Sequence, residues 1–179
     1  MSRVRIVGGA WRSRLLPVTG APGLRPTPDR VRETLFNWLG QDLDGLRCLD
    51  LFAGTGILGF EAASRGAAQV TLVERNPRVH AALQQAAITL SASQVELIRG
   101  DAVEFAKSAP SPFDIVFLDP PYAQGWLERI EPWLSRIVAP DGWLYVESER
   151  TLDALGDWRT TKRGQAGQVH FHLMRGHSE

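Results

Sequence analysis

A glycine-rich loop and a nearby acidic residue form the first group that could do chemistry. Gly54, Gly56 and Gly59 match the pattern G-x-G-x-x-G, between an apolar strand pattern and a helix pattern. Glycines let the backbone approach a ligand closely, and a carboxylate ending the next strand can accept hydrogen bonds from ribose hydroxyls. Glu74 takes that position, 20 residues after Gly54. The pattern alone is compatible with a nicotinamide-dependent hydride-transfer enzyme.

Asp50 indicates whether the glycine-rich loop binds a dinucleotide or a positively charged ligand. It lies four residues before Gly54, at the end of its strand, where the side chain is expected to face the ligand. A carboxylate there repels a dinucleotide pyrophosphate but attracts a ligand that carries ammonium and sulfonium cations. Asp101 follows the third predicted strand and adds a carboxylate at the same edge. The charges therefore favour a cationic nucleoside over a dinucleotide.

The order of these residues resembles the S-adenosylmethionine site of class I methyltransferases. The resemblance implies that Glu74 binds the ribose hydroxyls and that Asp101 contacts the adenine amino group. It also implies that the backbone at Ala102 reaches the adenine ring, while Gly54 and Gly56 admit the methionine end. The predicted cofactor-binding residues are Asp50, Phe52, Gly54, Thr55, Gly56, Glu74, Asp101 and Ala102.

A second motif, Asp119-Pro120-Pro121-Tyr122, ends the fourth predicted strand. An exocyclic amine is a poor nucleophile because its lone pair is delocalised into the ring, and it carries two N–H donors. The Asp119 carboxylate and the Pro120 carbonyl can accept these donors, the prolines fix φ, and Tyr122 offers a stacking face for an extruded base. The tetrapeptide resembles the catalytic motif of methyltransferases that act on exocyclic amino groups. All four residues are therefore predicted to be catalytic.

Alternating strand and helix patterns must position both motifs. Such repeats predict an α/β, Rossmann-like class I methyltransferase fold: a mostly parallel seven-stranded sheet with helices on both faces and a closing antiparallel hairpin. Ligands of such sheets bind at the carboxyl ends of the strands. The strands are predicted at 48–52, 70–74, 95–98, 113–118 and 143–147, the helices at 57–64, 77–90 and 126–137, and the hairpin at 159–174.

The first 40 residues differ from the rest in charge. They hold seven arginines against two acidic residues, a net charge of +5, whereas the remainder carries 13 basic and 18 acidic residues, or −5. We therefore expect a basic extension at 1–40 that binds RNA and a methyltransferase domain at 41–179. A basic segment on an acidic body indicates a polyanionic partner.

Alternating basic and apolar residues in this extension predict a β-hairpin with strands at 3–7 and 11–15. Thr27 is predicted to cap a helix that runs to about Leu39. Side chains two apart share a strand face, so a matching register would form one basic face that contacts RNA phosphates. The residues predicted for that face are Arg3, Arg5, Arg12 and Arg14.

Composition excludes several classes of protein. The chain has 179 residues, of which 44% are hydrophobic and 22% charged, as in an ordinary globular domain. Cys48 is the only cysteine, so we expect a packed core thiol and no disulfide within the chain. His170 and His172 share a strand face without a third ligand, so no metal site is expected. No apolar run reaches the length of a membrane span, so a cytoplasmic protein is expected.

Taken whole, the sequence resembles the RsmD family of 16S rRNA guanine-N2 methyltransferases. The resemblance covers nearly the whole chain except a less recognisable tail after Thr151. It implies methylation of one guanine in a loop near the peptidyl-tRNA site, presented by partly or fully assembled small subunits. The elements that carry it are Arg5-Ile6-Val7-Gly8-Gly9, Trp11-Arg12, Arg25 to Glu33, Leu35-Phe36-Asn37, Asp50 to Gly56, Gly59 to Ala62, Ser64 to Ala67 and Asp119 to Tyr122.

Three alternatives remain open at this stage. An adenine-N6 methyltransferase acting on DNA or RNA would use the same tetrapeptide. A nicotinamide-dependent oxidoreductase is disfavoured by Asp50 and by the lack of a second substrate domain. A non-catalytic RNA-binding protein is disfavoured because binding alone does not need the Asp119 motif. No pattern signals oligomerisation, so a monomer is expected.

Overall fold

The computed structural model describes residues 3–19 and 25–176. The described helices include none long and apolar enough to cross a membrane. The strands are β1 (Arg3–Arg5), β2 (Leu15–Pro17), β3 (Arg47–Asp50), β4 (Gln69–Glu74), β5 (Val95–Arg99), β6 (Phe113–Leu118), β7 (Val138–Ser148), β8 (Ala154–Leu155), β9 (Trp158–Ala166) and β10 (Val169–Gly176). The helices are α1 (Asp29–Leu39), α2 (Ile57–Ser64), α3 (Pro77–Thr89), α4 (Ala102–Ser108), α5 (Trp126–Ile130) and α6 (Leu134–Ile137).

The central sheet confirms the predicted fold. Its strand order is β5-β4-β3-β6-β7-β10-β9-β8, with β1 and β2 forming a separate two-stranded sheet. Strands β3 to β7 are parallel, and β10, β9 and β8 run antiparallel to their neighbours. The two-residue β8 is an edge strand beyond the predicted seven. Because β3 lies between β4 and β6, chain order reverses there, as expected for a ligand-binding crevice.

Helices cover both faces of this sheet. Alternate residues of β3 serve the two faces: Cys48 packs with residues of α1, α2 and α3, and Leu49 packs with residues of α4, α5 and α6. This division follows from the two-residue period of a strand, which sends neighbouring side chains to opposite sides. The N-terminal segment packs on the first face, since Val4, Ile6 and Leu16 belong to the same buried cluster as Cys48.

Most predicted helices and strands are confirmed. In the second half of the chain, one predicted helix is wrong and one observed helix was not predicted. Asn76 caps α3, accepting hydrogen bonds from the backbone N–H groups of Arg78 and Val79. The continuous helix predicted at 126–137 is wrong, because a 3-10 turn containing Pro132 separates α5 from α6. Proline has no N–H to donate within a helix. Helix α4 is an element that the hydrophobic pattern does not predict.

The basic hairpin is wrong in its second strand. β1 pairs with β2 at 15–17, so the predicted strand at 11–15 does not form. Arg3 and Arg5 are exposed and share one face of β1. Arg12 and Arg14 lie in the connection between the strands, outside that face. The single four-arginine strand face therefore does not exist.

Left-handed backbone conformations and contacts with α2 explain this connection. Gly9 has φ +78° and Ser13 has φ +72°, which interrupt an extended strand. The Trp11 amide donates a hydrogen bond to Ser64 Oγ at 2.9 Å. A Cβ atom at Gly9 would lie 2.0 Å from the carbonyl oxygen of Ser64, so only glycine allows this approach.

The start of α1 also differs from the prediction. Pro28 occupies the N-cap position, and no side chain caps the helix. The buried hydroxyl of Thr27 instead donates to Oε2 of Glu147 on β7 at 3.3 Å. The sequence pattern predicts that the Thr27 hydroxyl caps α1, but in the structure this hydroxyl donates to Glu147 instead.

A buried arginine on α1 fixes this segment to the rest of the protein. Arg32 is fully buried, and its Nε donates to the carbonyl oxygen of Thr27 at 3.1 Å. Its Nη1 donates to the carbonyl oxygen of Arg5 at 2.6 Å and to Oε2 of Glu61 at 2.9 Å. Its Nη2 pairs with Asp29. One side chain therefore joins β1, the approach to α1 and helix α2.

Glu61 completes the network from the other side. Its carboxylate is fully buried and accepts hydrogen bonds from the backbone N–H groups of Val7 and Gly8. Arg65 donates to it from the next turn of α2, with Nη2 at 2.9 Å from Oε1. A buried carboxylate is tolerated here because cations and amides surround it.

Replacing Arg32 by methionine should destabilise the protein by about 3–5 kcal/mol, because Glu61 keeps its buried charge but loses one of its two cations. The free energy of unfolding from urea denaturation measures the effect. Arg163→Met is the matched control, since the Arg163–Asp153 ion pair is exposed. Equal stabilities for the two variants would show that the network contributes no more than a surface pair.

Candidate active site

The glycine loop lies where β3 passes into α2. Gly54 donates its backbone N–H to Oε2 of Glu74 at 3.0 Å, which joins the loop to the end of β4. Gly54 and Gly56 have φ values of +54° and +80°. A Cβ at Gly56 would lie 2.6 Å from a methyl carbon of Leu83, and one at Gly59 would lie 2.2 Å from a methyl carbon of Leu72. Gly56 and Gly59 therefore allow α2 to pack closely on the sheet and on α3.

Asp50 is a buried carboxyl group at the end of β3. Its Oδ1 has no hydrogen-bond partner among the residues that the structure describes, and only 2% of the residue is exposed. Burial raises the pKa of Asp50 to about 7, with a further contribution from the negative charges of Glu74 and Glu147. An unpartnered buried oxygen at this place fits a cationic group of S-adenosylmethionine, which would satisfy it and favour its ionised form.

Glu74 and Asp101 occupy neighbouring strand ends. The Glu74 carboxylate also accepts a hydrogen bond from the Asn76 amide at 3.0 Å, so its orientation is fixed. Asp101 is the N-cap of α4, accepting a hydrogen bond from the Glu104 amide at 3.0 Å. Ala102 follows as the first residue of that helix, largely buried. Each carboxylate oxygen has a second lone pair that remains available to a ligand.

The remaining predicted cofactor residues lie in the same loop. The Phe52 ring packs edge-on against Trp126, with centroids 5.4 Å apart. Arg129 lies over Trp126, its guanidinium carbon 4.2 Å from the ring centroid. The Thr55 hydroxyl accepts a hydrogen bond from the Ile57 amide at 3.3 Å. All eight predicted cofactor residues therefore lie at the carboxyl edge of β3, β4 and β5.

The Asp119 motif follows β6, the strand beside β3. Asp119 is half-buried, Pro120 is buried and Pro121 is exposed. Tyr122 exposes 42% of its surface, so its ring is accessible for stacking. Within the parallel register, Asp50 is opposite Phe117, two residues before Asp119. The structure therefore brings the predicted catalytic motif and the predicted cofactor edge together.

Glu147 and Thr27 belong to this site but were not among its predicted residues. Glu147 exposes 3% of its surface and lies near the end of β7, next to β6. Burial, followed by the charge of Glu147 and a hydrogen bond with it, raises the pKa of Asp119 well above its ordinary value. The signal for Glu147 was an acidic residue at the end of a parallel strand. No sequence signal indicated that Thr27 would reach it.

The four arginines predicted to bind RNA lie in different places. Arg3 and Arg5 line a groove of about 400 Å³ that extends to Thr27. Arg12 lines a second groove, beside Arg65. Arg14 donates to the carbonyl oxygen of Thr89 on α3 at 3.3 Å.

Cysteine and histidine take structural positions. Cys48 is a fully buried core thiol, as predicted, and burial raises its pKa to about 12. His172 is buried, with Nδ1 2.9 Å from the Val146 carbonyl oxygen and Nε2 accepting from the Leu152 amide at 2.9 Å. Among residues 3–19 and 25–176, no group of side chains could hold a metal ion.

The fold and the acidic strand ends define the class of the protein as a class I methyltransferase. A solved structure described as a putative methyltransferase, yhhF, from Escherichia coli has a TM-score of 0.88 and 42% sequence identity, covering 99% of this chain and 100% of that chain. Residues 4–175 match the family model described as Conserved hypothetical protein 95. The chain belongs to this family, the RsmD family of methyltransferases.

Two relatives give the family its biochemical name. This chain is 42% identical to ribosomal RNA small subunit methyltransferase D of Escherichia coli (strain K12) over 184 residues, covering 97% of this chain and 90% of the relative. It is 41% identical to the Haemophilus influenzae protein of the same name over 180 residues, covering 96% and 93%. These similarities favour methyl transfer over hydride transfer.

Replacing Asp50 by asparagine should weaken binding of S-adenosylmethionine and reduce its pH dependence. Because the pKa of Asp50 is raised to about 7, the wild-type carboxyl gains its charge as the pH rises from 6 to 8. Wild-type affinity should rise over this range by up to about tenfold per pH unit relative to the variant. Titration calorimetry at pH 6, 7 and 8 measures both.

The comparison with the variant is essential because the ligand's own amino group, with an ordinary pKa of about 7.7–8.0, also titrates near this range. The variant reports that contribution alone. Parallel pH dependences for the two proteins would show that Asp50 does not contact the cation.

Proposed function

We propose that this protein transfers a methyl group from S-adenosylmethionine to the exocyclic N2 amino group of one guanine in 16S rRNA. The observation that carries the proposal is the Asp119 motif, which follows β6 beside the buried carboxyl of Asp50, whose Oδ1 has no hydrogen-bond partner among the described residues. The names of the relatives support small-subunit rRNA as the substrate. We further propose that the substrate is a partly or fully assembled small subunit and that the enzyme acts in the cytoplasm.

The residues at the end of β6 can position such an amine. Asp119 can accept one N–H of the amine, and the carbonyl oxygen of Pro120 can accept the other. The exposed ring of Tyr122 can stack on a base that has left its own stack, a contact worth about 1–3 kcal/mol. When bound, the cofactor supplies a methyl group already activated on a positively charged sulfur. Positioning then accounts for most of the catalysis, because the acceptors are fixed before the base arrives.

Replacing Asp119 by alanine should lower methyl transfer by about 10²–10⁴-fold, the usual contribution of a positioned proton acceptor. Binding of S-adenosylmethionine should change little, because Asp119 is not one of the proposed cofactor-binding residues. Transfer of labelled methyl groups to unmethylated small subunits measures the first quantity, and calorimetry the second. Asp153→Asn is the control, since its side chain is 91% exposed. Wild-type turnover in Asp119→Ala would remove this residue from the proposed role.

The identity of the labelled nucleoside tests the guanine assignment. Digestion of the methylated RNA should yield N2-methylguanosine. If the digest yields N6-methyladenosine instead, the protein is an adenine-N6 methyltransferase. The proposed role of the Asp119 motif would still hold, because the motif can bind either amine.

We also propose that the N-terminal extension binds RNA phosphates next to the catalytic motif. Arg3 and Arg5 line the groove that reaches Thr27, and Thr27 contacts Glu147 beside Asp119. Arg25 adds a positive charge close enough to lower the pKa of Tyr122 against the opposing effects of burial and nearby carboxylates. Arg12 and Arg14 remain proposed phosphate contacts outside this groove, since Arg12 lines a second groove beside Arg65 and Arg14 contacts Thr89 on α3.

Replacing Arg3 and Arg5 by glutamate should weaken binding of unmethylated small subunits and reduce the slope of log K against log salt by about 0.7–0.9 for each phosphate that no longer binds an arginine. Filter binding at several salt concentrations measures both. The control is Arg159→Glu with Arg163→Glu, exposed arginines on β9. An unchanged affinity and salt slope would contradict a role for β1 in binding RNA.

A further inference from the structure

The proposed function does not use Glu147, yet its surroundings are unusual for a carboxyl group. It is almost fully buried on β7, where its side chain shares a strand face with Tyr145, two residues earlier. The Thr27 hydroxyl donates to its Oε2 at 3.3 Å. The Tyr145 hydroxyl is also buried near it, and burial, followed by the charge of Glu147, raises the pKa of that hydroxyl well above its ordinary value. A buried carboxylate without a paired cation is costly unless it shares a proton.

Asp119 is the group with which Glu147 can share that proton. Leu118 of β6 pairs with Val146 of β7 in the parallel register, so Asp119 and Glu147 follow at the same level of two adjacent strands. The Thr27 hydroxyl donates to Glu147 at 3.3 Å. Two carboxylates in contact repel each other when both are ionised, so such a pair retains one proton to a higher pH than either group alone. Their different strands, β6 and β7, are adjacent in the sheet.

We propose that Asp119 and Glu147 act as a carboxyl pair that shares one proton, with Glu147 as a positioning residue and Thr27 as the donor that orients it. This inference rests on the proposed function for its catalytic meaning. The pair presents a single negative charge, and the hydrogen bond within it holds Asp119 in place to receive the substrate amine. If both carboxyls ionise, repulsion moves Asp119 away from that position.

The proton of the reaction then has a defined path. As the bond between the amine nitrogen and the methyl carbon forms, the bond from that carbon to sulfur breaks and its electron pair stays on sulfur. The proton that leaves the nitrogen goes to Asp119, which makes the pair doubly protonated. The pair returns to its single-proton state by releasing one proton to water on the exposed side, where Tyr122 lies.

The other titratable groups around the pair mainly favour retention of the shared proton. Asp50 faces Asp119 from β3 with a charge of the same sign. Tyr145 faces Glu147 from β7, and burial raises its pKa, so it stays neutral. Tyr122 faces both carboxyls, and burial raises its pKa to about 12. Arg25 and Glu149 also act on Tyr122, where the charge of Glu149 raises the pKa of the hydroxyl and the charge of Arg25 lowers it.

Thr27 is held well enough to orient a carboxyl group. Its carbonyl oxygen accepts a hydrogen bond from Arg32, which also binds Glu61 on α2. The N-terminal extension therefore contributes a side chain to the catalytic site from a fixed backbone. This explains why Thr27 is only 5% exposed and why its hydroxyl does not cap α1.

Carboxyl-carbon NMR titration of the full chain tests the pair directly, without RNA. The wild-type signals of Asp119 should show two titration steps, because coupled groups lose their protons in separate macroscopic steps. Glu147→Gln keeps the size and the hydrogen-bonding capacity of the side chain, and it should abolish the upper step. Asp153→Asn should leave both steps in place. A single wild-type step at the pH observed in Glu147→Gln would overturn the proposal.

Thr27 variants test the orienting hydroxyl. Thr27→Val removes the donor that stabilises the ionised form, so both titration steps should move to higher pH, by at least half a pH unit. Thr27→Ser retains the hydroxyl and should restore the wild-type positions. If valine and serine give the same shift, Thr27 has only a packing role. Thermal unfolding of each variant shows that the comparison is between folded proteins.

The pH profile of single-turnover methyl transfer then links the pair to catalysis. Because the singly protonated pair is the active form, the wild-type profile should be bell-shaped, and Glu147→Gln should lose the basic limb while keeping the acid limb. A merely structural role would lower the rate equally at every pH, which would overturn the catalytic meaning of Glu147. If the wild-type protein shows two titration steps by NMR but methylates no RNA, the carboxyl pair is supported and the proposed function is contradicted.

Discussion

Negative charge gathered at one edge of the sheet is the constraint on which the rest of this structure depends. Four neighbouring strands, β4, β3, β6 and β7, place Glu74, Asp50, Asp119 and Glu147 at or next to their carboxyl ends. Asp50 and Asp119 have raised pKa values because burial and like charges both disfavour their ionised forms. A bound cation would offset this accumulation of negative charge. A site built in this way favours a positively charged ligand over an anionic one.

The N-terminal extension is joined to that site by hydrogen bonds from Arg32 and Thr27. Arg32 and Glu61 form a buried ion network that fixes the extension on α2, the helix that follows the glycine loop. The same arginine holds the carbonyl of Thr27, whose hydroxyl reaches Glu147. Strand β1, the helix that follows the glycine loop and the carboxyl of Glu147 are therefore connected by hydrogen bonds that pass through Arg32 and Thr27.

Local pattern was sufficient for most of the elements and for the place of the predicted site residues in the sheet. The apolar runs of β3 and β6, the Asn76 cap and the position of Asp50 relative to Gly54 are properties of short segments, so they could be predicted from sequence. Pattern failed where a distant partner or a proline outweighed the periodicity of the residues. Ser64 holds the connection between β1 and β2 in a turn, and Pro132 interrupts a helix whose apolar pattern continues through it. In both places a specific hydrogen-bonding constraint outweighed periodicity.

The sequence by itself determined most of the strands and helices, the glycine loop, the carboxylates of the predicted cofactor edge and the tetrapeptide that begins at Asp119. Residue type and spacing along the chain carry that information, since each of these features is local. Only the tertiary structure decided that Glu147 lies beside Asp119, that Thr27 donates a hydrogen bond to it and that Arg3 and Arg5 lie apart from Arg12 and Arg14. These relations join residues up to 120 positions apart. Strand register and burial bring them together, and neither is encoded in any single segment.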